Sequence, residues 1–124
     1  MALGAAVACP ERRVFALQSD GSAQYTIQSL WTMARERLPI VMLIASNRRY
    51  GILQTELARG GLPADMPHAS RLTLLGDPPI DWLALSRGYG VPAERANTVQ
   101  ALSQALDVAL AHSDGPRLIE MCLP

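Results

Sequence analysis

The sequence predicts an α/β domain built on a mostly parallel sheet with helices on both faces, and three observations carry that expectation. Residues 14–17 and 40–45 are short apolar runs. The second lacks alternation, the pattern of a strand covered on both sides. Between them Ile27, Leu30, Trp31, Ala34 and Leu38 recur at helical spacing, with Arg35, Glu36 and Arg37 on the opposite face. A last apolar run, 117–122, follows a second helical stretch. Strands alternating with helices imply right-handed parallel crossovers.

Taken in order, residues 2–8 read as an Ala-rich helix stopped by Pro10. The strand at 14–17 is broken by Asp20-Gly21, and Ser22 is the expected N-cap of the helix carrying Leu30, which ends before Pro39. After the strand at 40–45, residues 47–51 form a turn and 52–58 a short helix. Residues 59–79 are rich in Gly and Pro and read as one long loop bearing His68; loops of that length are uncommon and often functional. A helix at 80–87 contains Trp82, Leu83 and Leu85 and closes at Gly88 and Gly90. A minor strand occupies 93–96. Thr98 then caps a helix whose stripe is Val99, Leu102, Leu106, Ala109 and Leu110, ended by Gly115-Pro116.

Composition narrows the function classes. The 124 residues suffice for one core and one domain. Eleven basic residues, all arginine, balance eleven acidic ones, so no overall field draws the chain to nucleic acid or anionic lipid. No stretch approaches the ~20 apolar residues of a membrane helix, and the opening residues lack the charged start of a secretion signal. Cys9 and Cys122 form no disulfide framework or metal-ligand spacing, so they read as small core residues in a reducing cytoplasm. Neither a GxGxxG fingerprint nor a P-loop is present.

The chemistry-bearing residues follow two strands. Asp20 and Asn47 stand just past the apolar runs, at the ends where an open α/β sheet places its ligands. Magnesium takes oxygen ligands and commonly combines one or two protein groups with substrate phosphates. Asp20 would supply an anionic oxygen, Asn47 a neutral one, and the Arg49 carbonyl a third. Gly21 permits close approach of the backbone, and the Ser22 and Ala23 amides at a helix start would face phosphate oxygens. Each piece alone also reads as an ordinary turn; their joint placement favours a site.

Asp20-Gly21-Ser22, the following Gln24-Tyr25-Thr26-Ile27-Gln28-Ser29-Leu30-Trp31-Thr32, and Asn47-Arg48-Arg49-Tyr50-Gly51-Ile52-Leu53 resemble the C-terminal, diphosphate-binding domain of thiamine-diphosphate enzymes. The acetolactate synthase and benzoylformate decarboxylase group is the nearest in pattern, and the likeness covers nearly the whole chain. The resemblance implies a three-layer, doubly wound thiamine-diphosphate-binding fold, truncated at its N-terminus. It implies thiamine diphosphate and Mg²⁺ as cofactors. Asp20, Asn47 and the Arg49 carbonyl would hold the metal, with Asp20, Gly21, Ser22, Asn47, Arg49, Tyr50 and Gly51 around the cofactor. Two positions depart from the family pattern: Ser19 stands where a glycine is usual, and Ser46 where an asparagine is usual. A Cβ at position 19 would crowd the turn if that residue needed positive φ.

The family's pyrimidine-binding and central domains are not expected in residues 1–124, and no glutamate matches the activating position, so Glu56 and Glu120 are not assigned to it. No catalytic residue is expected here. The domain would anchor the cofactor for attack on a 2-oxo acid, as a homo-oligomer or with a separate chain carrying the pyrimidine-binding domain. The alternative is a non-catalytic remnant that folds and self-associates. His68, His112, Ser86 and Ser103 lack partners at recognisable spacing, and Trp31 and Trp82 read as core.

Overall fold

In the computed structural model, which describes residues 1–62, 66–112 and 114–124, the predicted strands are neighbours in one sheet. Strands β1 (Val14–Ser19), β2 (Ile40–Ser46), β3 (Ala93–Ala96) and β4 (Arg117–Cys122) lie in the order β1-β2-β4-β3. All three pairings are parallel. The helices are α1 (Ala2–Ala8), α2 (Asp20–Ala23), α3 (Ser29–Arg35), α4 (Gly51–Arg59), α5 (Pro67–Thr73), α6 (Trp82–Gly88) and α7 (Val99–Ala111).

Both faces of β2 are covered, as its unbroken apolar run requires. On one side Ala16, Ile40, Met42, Ile44 and Leu118 pack with Ala6, Leu30, Met33 and Trp82 from the helices. On the other, Val41, Leu43, Ala96 and Ile119 meet Ala105 and Ala109 of α7. The result is the expected three-layer α/β fold. Edge strand β1 is covered on only one side, leaving Phe15 and Leu17 exposed.

Several local expectations are corrected. The single helix after Asp20 is two: α2 starts at Asp20 with Ser19 as N-cap, and α3 starts only at Ser29. Tyr25 and Thr26 N–H groups bond to Ser22 and Ala23 carbonyls three residues back, a tight turn that ends α2 where β-branched Thr26 and Ile27 disfavour continuation. Trp31, one residue past buried Leu30 and so rotated off the buried face, is 52% exposed; its ring lies 4.9 Å from the Arg35 guanidinium. Cys9 is exposed rather than core, and Cys122 is half-buried. In α7 the buried stripe runs through Ala105 and Ala109, whereas Val99 and Leu110 are exposed, because the small alanines let the helix approach the sheet. The loop expected at 59–79 contains α5, and its residues 63–65 lie outside the described residues.

The helix expected at 80–87 begins two residues later, at Trp82, because Asp81 caps it by accepting the Ala84 N–H at 3.0 Å. Other signals hold. At the far end of α6 Gly90, with φ of 79°, takes the left-handed position, while Gly90 and Val91 N–H groups bond to Arg87 and Ser86 carbonyls. Thr98 caps α7 through the Ala101 N–H at 3.1 Å. Trp82 is 1% exposed and anchors the core. Among the described residues no helix is long and apolar enough to cross a membrane.

Candidate functional site

Parallel pairing in register puts Ser19 beside Ala45, so the residues just beyond β1 and β2 emerge at one edge of the sheet. There Asp20 opens α2 and residues 47–50 form the turn into α4. Asp20 is 1% exposed. Its Oδ1 accepts the Gly21 N–H at 2.8 Å and its Oδ2 accepts the Arg48 N–H at 2.6 Å. None of the ion pairs among the described residues involves it. A buried carboxylate held only by two backbone N–H groups is costly without a counter-charge, and each oxygen keeps a further acceptor position.

Asn47 follows β2, and its Oδ1 accepts the Arg49 N–H at 3.2 Å, which curls the chain into a turn. Arg48 has φ of 57°, a left-handed conformation unusual for a residue with a Cβ. Arg49 forms an isolated antiparallel bridge with Leu74. The bonds of that bridge run between flanking residues, Tyr50 N–H to Thr73 O and Leu75 N–H to Arg48 O, each 2.7 Å. In such a pair the two central residues turn their own N–H and C=O groups away from each other, so the Arg49 carbonyl is directed away from Leu74. The exposed Arg49 guanidinium reaches Pro124 O at 3.2 Å.

A cleft of about 440 Å³ opens at this edge, lined by Ser19, Gly21, Ser22, Tyr25, Asn47 and residues 49–53. Six of the seven predicted cofactor residues are therefore on its wall; Asp20, the seventh, is buried next to Gly21, behind the lining. Gly21 is needed for space: a Cβ there would lie 2.4 Å from Tyr50 Cε1. Ser22 Oγ donates to Gln18 Oε1 at 3.0 Å and lies 2.9 Å from Ser19 Oγ. Ser19 itself has φ of −83°, so its Cβ costs the turn nothing and the departure from glycine is accommodated. Ser46, the other departure, is buried and its carbonyl accepts the Leu123 N–H at 2.9 Å, extending the sheet.

The Asp20 carboxylate, the Asn47 amide oxygen and the Arg49 carbonyl are oxygen donors, the type that a hard divalent cation takes. Among the described residues there is no group of three or more His, Cys, Asp or Glu that would form an all-protein metal cage. A hard cation here would thus need further oxygens from a ligand such as a diphosphate.

The remaining candidates fall elsewhere. His68 is exposed on α5, and His112 Nδ1 lies 2.9 Å from Val108 O at the end of α7. Ser86 is fully buried and donates to Val91 O at 2.9 Å. Glu56 pairs with Arg59 at 2.6 Å. Glu120, 3% exposed, accepts from Arg95 Nε at 2.8 Å; that hydrogen bond, then the attraction of the carboxylate, raises the Arg95 pKa above its ordinary value. Sequence reasoning did not place Tyr25, Ile52 and Leu53 in the site, although they stand inside the two motifs. It also missed the 73–75 segment, whose only signal is the short apolar run Leu72-Thr73-Leu74-Leu75.

Comparison with known proteins agrees with this architecture. The family model described as "Thiamine pyrophosphate enzyme, C-terminal TPP binding domain" matches residues 1–121. A candidate acetolactate synthase large subunit of Mycobacterium tuberculosis, IlvX, is 44% identical over 99% of this chain and 24% of its own length. Benzoylformate decarboxylase of Pseudomonas aeruginosa is 42% identical over 97% of the chain and 21% of its length. The solved structure of a Rhodococcus jostii thiamine diphosphate-dependent 4-hydroxybenzoylformate decarboxylase superposes with a TM-score of 0.83 at 36% identity, over 96% of this chain and 21% of that one. The chain thus spans about a quarter or less of the length of these relatives. With the fold, the paired strand-end motifs and the family match in agreement, the chain belongs to the family of C-terminal thiamine pyrophosphate-binding domains of thiamine pyrophosphate enzymes.

Proposed function

We propose that residues 1–124 are one domain that anchors thiamine diphosphate and Mg²⁺, as the diphosphate-holding half of an acetolactate synthase-like 2-oxo acid carboligase or decarboxylase. The observation that carries this reading is the buried Asp20 carboxylate, satisfied only by two backbone N–H groups and lacking a counter-charge. Asp20 Oδ, Asn47 Oδ1 and the Arg49 carbonyl would hold the cation, with Gly21 and Ser22 against the diphosphate and Tyr50 and Gly51 closing the cleft beside them. The bound cofactor supplies the electron sink for cleaving a 2-oxo acid. This chain's residues bind and orient it. No side chain here is assigned a proton transfer; that task falls to a pyrimidine-binding domain outside residues 1–124. The lack of an Asp, Glu, His or Lys among the cleft-lining residues motivates that division.

Calorimetric titration with thiamine diphosphate and Mg²⁺, beside an Asp20→Ala control, tests the reading. Magnesium-dependent binding that disappears in the control is the expected result. No heat at millimolar cofactor, an affinity weaker than about −4 kcal/mol, or equal binding by the control would overturn it.

A further inference from the structure

The turn that offers Asn47 and the Arg49 carbonyl is held from within by the Asn47 Oδ1 bond to the Arg49 N–H, and the rest of its support comes from elsewhere in the chain. Arg48 sits in a left-handed conformation, and the main-chain groups around it are taken up from outside the turn. Asp20 accepts the Arg48 N–H. The Leu75 N–H reaches the Arg48 carbonyl, and the Thr73 carbonyl accepts the Tyr50 N–H. Thr73 is the node of this arrangement. It is 2% exposed. Its hydroxyl donates to Ala69 O at 2.8 Å, fixing it to α5, and accepts from Gln54 Nε2 at 3.2 Å, on the first turns of α4. Gln54 N–H in turn bonds to Tyr50 O at 3.2 Å. The hydrogen bonds close a ring: Tyr50 to Thr73 through the main chain, Thr73 to Gln54 through the side chains, Gln54 back to Tyr50.

We propose that Thr73 is a positioning residue for the cation turn, clamping residues 48–50 between α4 and α5 so that the Arg49 carbonyl keeps its direction away from Leu74. The inference rests on the proposed cofactor-anchoring role. Thr73 touches no reacting group; it acts through the Tyr50 N–H and through Gln54. Without its hydroxyl the side-chain tie from α5 to Gln54 of α4 is lost, and the turn keeps only its two main-chain bonds to residues 73–75. The turn then relaxes from its left-handed conformation, and the carbonyl loses its fixed direction.

Thr73→Val removes the hydroxyl at nearly constant volume, and Thr73→Ser restores it. Two readouts separate the clamp from the anchoring role. The first is titration with Mn²⁺ and thiamine diphosphate, followed by the Mn²⁺ paramagnetic resonance signal. Thr73→Val should weaken binding about tenfold, equivalent to about 1.4 kcal/mol, with Thr73→Ser returning to within about twofold of the parent. The second is amide hydrogen exchange in the cofactor-free protein. Tyr50 and Leu75 should exchange at least about tenfold faster in Thr73→Val, with Leu43 in the sheet unchanged. If the parent binds no Mn²⁺ with the cofactor, the anchoring reading falls, while exchange still judges the clamp. Unchanged exchange at Tyr50 and Leu75 overturns the clamp whatever the binding result. Parent-like Mn²⁺ affinity in Thr73→Val overturns its role in positioning the cation turn. Gln54→Ala removes one arm of the ring from a half-buried position, so it carries the same test if Thr73→Val does not fold; parent-like exchange at Tyr50 there counts equally against the clamp.

Discussion

Gly21→Ala probes the cleft at its tightest contact. The added Cβ would lie 2.4 Å from Tyr50 Cε1 and 2.6 Å from Cδ1. To reach an ordinary contact the ring must retreat from 2.4 to 3.4 Å, a shift of 1.0 Å. Overpacking of this kind costs about 1–3 kcal/mol. Gly21 is in α2 and outside the left-handed region, so alanine also gains helix propensity of about 1 kcal/mol. The two effects leave a net destabilisation of about 0–2 kcal/mol. Binding suffers more, because Gly21 and Tyr50 both line the cleft and a misplacement of about 1 Å in a positioned group can cost on the order of 100-fold in function. The expected outcome is a protein that folds and loses at least about tenfold in affinity for thiamine diphosphate with Mg²⁺. The assay is urea denaturation and cofactor titration in a double-mutant cycle with Tyr50→Ala. If Gly21→Ala has the same effect with and without the Tyr50 ring, within about 0.5 kcal/mol, the ring is not the obstacle and the argument fails.

The ion pair in the sheet should respond asymmetrically. Arg95 is 42% exposed and can rehydrate when Glu120 is removed, whereas Glu120 at 3% cannot when Arg95 is removed; Arg95→Ala should therefore cost about 3 kcal/mol in urea melts and Glu120→Gln only about 1. In the parent the raised Arg95 pKa gives stability that is fully present below the unfolded guanidinium value and is lost only as pH rises through the higher folded value, so the guanidinium adds no slope near neutral pH. Equal losses in the two variants would refute the account. Trp82→Ala should cost about 3–5 kcal/mol, against less than about 0.5 kcal/mol for Trp31→Ala, since Trp82 is 1% and Trp31 52% exposed. Thermal melts of the two variants side by side would check this, and comparable losses would contradict the assignment of Trp82 to the core.

Reading the sequence worked where a side-chain pattern has one structural meaning. The unbroken apolar run at 40–45 could only be covered on both faces, and β2 is. Thr98 precedes a helix and accepts an N–H group from its first turn. Reading by apolar size misled at α7, where Ala109 was expected but Ala105 was not, and Val99 and Leu110 are exposed, because close approach, not bulk, decides that interface. It misled again at Trp31 and Cys9, whose exposure depends on rotation about α3 and on where α1 ends.

The motifs Asp20-Gly21-Ser22 and 47–51, placed just past two parallel strands, were legible from the chain alone, because apolar runs mark the strands and the turns must follow them. What only the tertiary structure decided is how that edge is held. The buried carboxylate accepts a backbone N–H from Arg48, 28 positions on. The Arg49 carbonyl takes its direction from a bridge to Leu74, and Thr73 ties two helices to the turn. Every peptide unit carries the same donor and acceptor, so main-chain pairing between distant segments leaves little trace in the order of side chains and is settled when the chain packs.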